Sequence, residues 1–411
     1  MTNFIIPSDV SLSREFRIVR FIAAAYLSLM SVQLIGIEGY ETSFIKVAAM
    51  LFMAFVMLYC GLQFTKAVLW GALYLMTLSV SIIFNIDTFR FETVVYRFAA
   101  VIAFICFYNL VSRRDIFTID YFYTLVRGII IAYTIVIVIQ QLLSLMGINN
   151  MLIFNQAASI VKFGRPNSLA CEPSHAARIM GAAFIVLLRL LQCLWGKEQV
   201  TIKKLWKNER ILILCYLFTM LTMQSGTAMM ILVITSLFFI RKRLVIFVII
   251  LFVALWSAIP LIPYRPLHRA YNTLNAAVSL DREAIQEADL SASARVLPYV
   301  YTIENFDLTE EETWIGQGID TGQKADKWGT KQMIGGMSDY GFMQYIFSLC
   351  LVFACCIRRP ISIETLFFLV VLMAEIRNVY VWWAILMMFA ATKYFLIQSE
   401  LNTQNERTCF Y

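Results

Sequence analysis

The feature that most constrains this chain is a succession of long apolar blocks, most of them 15 to 24 residues, separated by short polar links. About 20 apolar residues in a helix cross the ~30 Å hydrocarbon layer of a bilayer. The blocks do not alternate with period two, which argues against a membrane β-barrel. Hydrophobic residues make up 60% of the 411 and charged residues 15%, whereas soluble domains are nearer half and a quarter. The expected fold is an all-α polytopic membrane protein of about twelve transmembrane helices, with a large extramembrane loop containing amphipathic helices. Residues 1–411 then form a single transmembrane domain, with little chain left for a separate soluble one.

The expected spans are 18–37, 44–62, 67–85, 93–111, 124–146, 174–195, 210–224, 226–240, 244–262, 337–357, 361–377 and 380–397. The first follows Arg14, Arg17 and Arg20 and reads as a retained signal-anchor, because no cleavage site separates it from the second. Basic clusters orient the bundle. They are Arg14/Arg17/Arg20, Arg113/Arg114, Lys197/Lys203/Lys204/Lys207, Arg241/Lys242/Arg243 and Arg358/Arg359. With twelve spans and both termini in the cytoplasm, all five clusters fall inside. The net charge of +7 therefore reflects loop asymmetry, and nucleic acid is not an expected partner. Residues 210–240 must cross twice in two halves of about 15 residues, ~22 Å of helix each. Either both halves are short spans, or they form a hairpin that stops below the surface. The hairpin would put Gln224, Ser225 and Thr227 at the floor of an outward-facing cavity.

Two outer loops are long, 147–173 and 263–336. The second holds seven Lys/Arg against eleven Asp/Glu, a net charge of −4. Leu267, Tyr271, Leu274 and Val278 recur in it at helical spacing. Ser291 or Ser293 could cap a second helix carrying Arg295, Leu297 and Tyr301. Both helices are amphipathic enough to lie on the membrane surface. A glycine-rich stretch from Trp314 to Gly341 is expected to fold back over the bundle. Seven of nine cysteines fall inside apolar runs and only Cys171 is placed outside, so no disulfide framework is expected. Two histidines and no metal-ligand spacing argue against a metal site. No GxxxxGK[ST] or GxSxG pattern occurs, so direct use of a nucleotide and a serine-hydrolase elbow are both disfavoured.

The strongest local signal is the run from Arg165 to Arg178, where loop 147–173 enters the sixth span. Pro173 suits a first helical turn, and Glu172 before it is favoured by the helix dipole. Arg178 lies about one and a half turns inside an apolar span, where an ionisable side chain points to function. The structural alternative makes Glu172 a cap, Arg178 its ion-pair partner and His175 a polar core residue. For His175 alone that alternative is the better reading. Further arginines defy the inside bias: Arg90 and Arg97, Arg265, Arg269, Arg282 and Arg295, and Arg377 with Glu375 nearby. Arg282 sits among acids that can pair with it. Guanidinium groups bind phosphate oxygens in pairs and stay charged, so Arg178, Arg265, Arg295 and Arg377 converging on one outer cavity would suit a diphosphate.

These features together resemble the O-antigen polymerase (Wzy-type) family, within the wider O-antigen ligase and polymerase group. The resemblance rests on their order along the chain. It comprises the Arg165-to-Ser174 stretch, the Ser225-Gly226-Thr227 turn, Arg295, Gly316-Gln317-Gly318, and the Asp339-Tyr340-Gly341 entrance to a span. It implies an inner-membrane glycosyltransferase of lipopolysaccharide and polysaccharide biosynthesis, acting without a cofactor. Its substrates would be oligosaccharide repeat units on undecaprenyl diphosphate, joined at the periplasmic face. The implied catalytic residues are Glu172, Arg178 and Arg295. Arg165, His175, Arg265, Arg269, Tyr301 and Arg377 would bind substrate. Membrane lipids surround such a protein, and a chain-length regulator is an implied partner. Related ligases carry a histidine after the Gly-x-Gly; residues 319–341 have none, which favours polymerase over ligase. A flippase or transporter is the third reading, disfavoured because the two halves show no internal repeat.

Overall fold

The computed structural model describes residues 14–33, 44–88, 90–148, 166–196, 200–240, 290–318, 333–376 and 380–408, with scattered positions between 253 and 285. The described residues form helices α1 (Arg14–Ser31), α2 (Phe44–Cys60), α3 (Lys66–Phe84), α4 (Phe91–Arg114), α5 (Ile119–Leu145) and α6 (Pro173–Leu194). Then come α7 (Ile202–Thr222), α8 (Gly226–Ser236), α9 (Leu290–Asn305), α10 (Glu311–Ile315), α11 (Met337–Cys355), α12 (Ile363–Leu366) and α13 (Tyr380–Thr408). Every expected span holds one of these helices, except 244–262, which lies mostly outside the described residues. Among the described residues, six helical stretches are long and apolar enough to cross a membrane, namely α3, α4, α5, α6, Ile334–Cys355 and Val381–Asn402. Phe52, Phe55, Leu58, Met76 and Ile83 point outward from α2 and α3. Helices apolar on their outer faces need an apolar surrounding. The chain is a multi-pass membrane protein, all-helical among the described residues.

Polar residues at the helix ends explain where several helices start and stop. Thr65, Thr118, Thr201 and Ser362 each accept a backbone N–H of the first turn that follows, satisfying a donor the helix cannot pair internally. At its far end α11 exposes carbonyls, and Lys393 of α13 donates to Phe353, Ala354 and Ile357 O at 3.1, 2.7 and 2.8 Å. In α7 the backbone kinks at Glu209. The helix therefore begins within the lysine cluster, earlier than the expected span, and only the part after the kink is apolar.

Charge is sorted between the two ends of the bundle. Arg20 donates through Nε to Ile116 O in the α4–α5 link at 2.7 Å. Arg113, Lys203, Lys204, Lys207, Arg358 and Arg359 occur where helices of alternating direction bring them to this same end. Here Arg189 of α6 grips Glu364 with Nε and Nη2 at 2.6 and 3.0 Å. Lys197 and Arg241/Lys242/Arg243 lie outside the described residues. The opposite end carries the loops. Ser81 and Asn85, at the end of α3, donate to Ile315 O and Gly316 O at 2.6 and 3.1 Å. Thr302 of α9 accepts Ile334 N–H at 3.0 Å.

The helix expected after Ser291 or Ser293 spans Leu290–Asn305, so both serines fall inside it and do not cap it. The helix expected through Leu267 to Val278 lies mostly outside the described residues. The glycine-rich stretch does fold against the bundle where it is described. Gln317 N–H and Gly318 N–H donate to Ser338 O and Asp339 O at 2.8 and 3.1 Å. At φ +79° Gly316 lies so close to the Asp339 carbonyl that a Cβ there would sit 2.5 Å from its oxygen, and at φ +85° Gly341 would meet Trp314 O at 2.1 Å. Only glycine allows that approach.

Candidate functional site

At the loop end several segments stop short of the full depth of the bundle. The segment before α6 dips inward. Ser168, fully buried at φ +56°, donates through Oγ to Tyr133 O at 2.7 Å. Gln140 of α5 accepts Ser168 N–H at 2.8 Å and donates to Asn167 Oδ1 at 3.0 Å. Tyr133 and Gln140 are interior residues of a helix that continues to Leu145. Residues 167–168 are therefore non-helical backbone inside an apolar span, tolerated only where protein or a cavity surrounds it. The 210–240 hairpin also stops early. Thr219 of α7 meets Thr134 of α5 at 2.9 Å, which leaves the turn at Met223–Ser225 about 10 Å below the end of α5 at 1.5 Å per residue. Ser225 and Thr227 are buried and Gln224 is exposed with φ +46°. Of the two readings of this hairpin, the recessed one matches the packing. The eleventh stretch, α12 and its π-helical continuation Phe367–Val371, ends in Met373 and Ala374 at φ +55° and +51°. Consecutive left-handed non-glycine residues mark stored strain.

Arg178 lies inside this recess. It is 4% exposed, and its guanidinium carbon sits 4.5 Å from the centroid of the Trp382 ring of α13. The same indole makes a T-shaped contact with the His175 ring, centroids 5.7 Å apart at 87°. Tucked against the α8 residue Ile231, Gly181 sets α6 and α8 side by side, with Arg178 near the level of Thr227. Gln33, just past α1, ties the floor together. Its Oε1 accepts Cys171 N–H at 2.9 Å and lies 3.1 Å from His175 Nδ1. Pro173 opens α6 as expected. Glu172 occupies the cap position by backbone angle, but its exposed carboxylate accepts the Ser174 hydroxyl at 3.1 Å and caps no backbone N–H. The carboxylate thus stays at the rim above the buried guanidinium.

The other expected site residues are placed as follows. Tyr301 is 6% exposed and packs with Ala276, Ile285, Leu297 and Val300 in a separate small apolar cluster. Arg295 lies on the backbone of α9, and its side chain is outside the described set. Arg165, Arg265, Arg269 and Arg377 also lie outside the described residues. Arg97 of α4 stacks over Tyr340, 3.9 Å from the ring centroid, beside the Gly-x-Gly contact. Glu375 is buried and accepts Gly335 N–H at 3.2 Å. Among the described residues, no group of three His, Cys, Asp or Glu side chains converges to hold a metal ion.

Sequence reasoning missed Trp382 and Gln33. Trp382 reads as an interfacial belt residue at the start of a span, and a lone glutamine after an apolar run carries no pattern. Comparison of the chain with protein-family models, curated proteins and solved structures returns no match. The O-antigen polymerase likeness therefore remains one of motif order.

Proposed function

We propose that this protein is an O-antigen polymerase, a glycosyltransferase that joins undecaprenyl-diphosphate-linked oligosaccharide units at the periplasmic face of the bacterial inner membrane. The observation that carries the reading is a buried arginine, Arg178, stacked on Trp382 in a recess at the loop end of the bundle. An arginine in an apolar span costs several kcal/mol unless it is used. In this reading the basic end faces the cytoplasm, so the recess opens to the periplasm.

In the reaction, a hydroxyl oxygen of the incoming unit attacks the anomeric carbon of the growing chain. The bond from that carbon to the diphosphate oxygen breaks, and the electron pair leaves with the lipid diphosphate. Arg178 and Arg295 neutralise the developing charge, with Arg165, Arg265, Arg269 and Arg377 as further ligands. Glu172, exposed at the rim, takes the acceptor proton. His175 is held by Gln33 and orients substrate hydroxyls. Tyr301, expected to bind substrate, is instead buried in the separate loop cluster and takes no part in the site.

The test is a surface-polysaccharide gel from a strain lacking the gene. Lipopolysaccharide carrying a single repeat should persist while the ladder disappears. Complete loss of attached repeats would instead indicate a ligase or a flippase. Arg178→Ala and Arg295→Ala should each abolish the ladder with normal membrane insertion; intact ladders from both would sink the diphosphate role.

A further inference from the structure

A groove of about 390 Å³ runs between α1 and α5, away from the recess. Ser28 and Ser31 of α1 face Leu125, Gly128 and Ala132 of α5 across it. Its lining is almost wholly apolar, so it is poorly suited to ordered water. Gly128 leaves real space, since a Cβ there would meet nothing within 4 Å. From Tyr121 to Tyr133 the groove follows α5 for about 18 Å, a little more than one leaflet of a ~30 Å hydrocarbon core. Its upper end is closed by Leu169 and by the Tyr133 hydroxyl bonded to Ser31 O.

The lower end carries positive charge in register with the groove. Arg17, Arg20, Ser28 and Ser31 are spaced so that they share one stripe of α1. Arg17 is exposed. Arg20 lies 5.3 Å from the ring centroid of Tyr121, which lines the groove. The described acids at this end are Glu15, Asp115, Asp120, Glu209, Glu364 and Glu400; Asp115 is already bonded to the Tyr394 hydroxyl, Glu364 to Arg189 and Glu400 to Arg358. Arg14 and Arg113 add to the positive side.

We infer that this groove is a binding site for one acyl chain of an anionic phospholipid, its headgroup phosphate held by Arg17 and Arg20. Depth, closure near mid-bilayer and the charge at the open end select a phospholipid of the leaflet at the basic end. A lipid whose phosphate sat at the recess would have to enter from the closed end. The bound chain packs against Leu169, whose carbonyl accepts Gln33 N–H at 2.9 Å, so the lipid braces the segment leading to Glu172 and His175.

Full-length protein in detergent should be offered phosphatidylglycerol, phosphatidylcholine with the same chains, or a polyprenyl monophosphate, and bound lipid counted by native mass spectrometry. Phosphatidylglycerol should be retained over phosphatidylcholine by roughly twenty-fivefold, about fivefold for each arginine. Arg17→Gln should reduce that preference about fivefold. Gly128→Leu, which fills open space and favours the helix, should lower retention of both phospholipids. Unfolding temperatures equal to the wild type in lipid-free detergent show that each variant is folded; Arg17→Gln alone suffices should Gly128→Leu not fold. Equal retention of the two phospholipids, full retention by Gly128→Leu, or preferred uptake of the polyprenyl phosphate overturns the assignment.

Discussion

At the scale of single residues, the recess depends on how Arg178 is kept charged and oriented away from water. One of its contacts is the face of Trp382, and a desolvated cation–π contact contributes about 2 kcal/mol. Trp382→Leu should therefore lower polymerisation, read as ladder density, by tenfold or more on that ~2 kcal/mol scale. Trp382→Phe keeps a ring face and should stay within about fivefold of wild type, since part of the quadrupole attraction remains. Equal loss in both variants would assign Trp382 to packing alone. Gln33 acts on the same floor by a different means, because its single amide oxygen serves both a backbone N–H and the His175 ring. Arg178 was legible in the sequence because a charge inside an apolar run is conspicuous. Trp382 and Gln33 were not, because their roles are contacts between segments far apart in the chain.

At the scale of elements, the Gly-x-Gly of the large loop works as a backbone clamp. Gly316 and Gly341 allow the segment after α10 to lie directly on the start of α11, closer than any side chain would permit. Gly341→Ala should destabilise this contact by about 1–3 kcal/mol, given a left-handed φ and a carbonyl in the way. The expected readout is faster proteolysis within 290–318 and a lower unfolding temperature in detergent, with the bundle still inserted. Unchanged proteolysis would mean that the loop is held by its other contacts. The glycines were visible in the sequence, but their partner strand of backbone was not. The same holds for the dip at Ser168: its left-handed φ is set by three hydrogen bonds to α5, and a serine carries no sequence signal for that angle.

At the scale of the whole molecule, the two ends of the bundle differ in charge and in kind. One is basic and joined by short links; the other is covered by α9, α10 and the inward-dipping segment. The proposed orientation puts the second end outside the cell membrane. An impermeant maleimide added to intact spheroplasts should label Glu310→Cys, which is exposed beside α10, and should leave Lys207→Cys, exposed on α7, unlabelled until the membrane is opened. The native Cys171 is replaced by serine in both to lower background. The reverse pattern would invert the bundle and remove the recess from the periplasm.

The sequence by itself determined the class of protein, where along the chain most of the described helices fall, and the gathering of the described basic residues at one end. Those follow from local properties: block length, apolar composition and the charge of each link. Only the tertiary structure decided that the 210–240 hairpin is recessed, that Glu172 stays at the rim and turns to Ser174, and that Trp382 covers Arg178. Each is a matter of relative depth between helices. Depth is set by side-chain packing across the bundle, which no local pattern encodes.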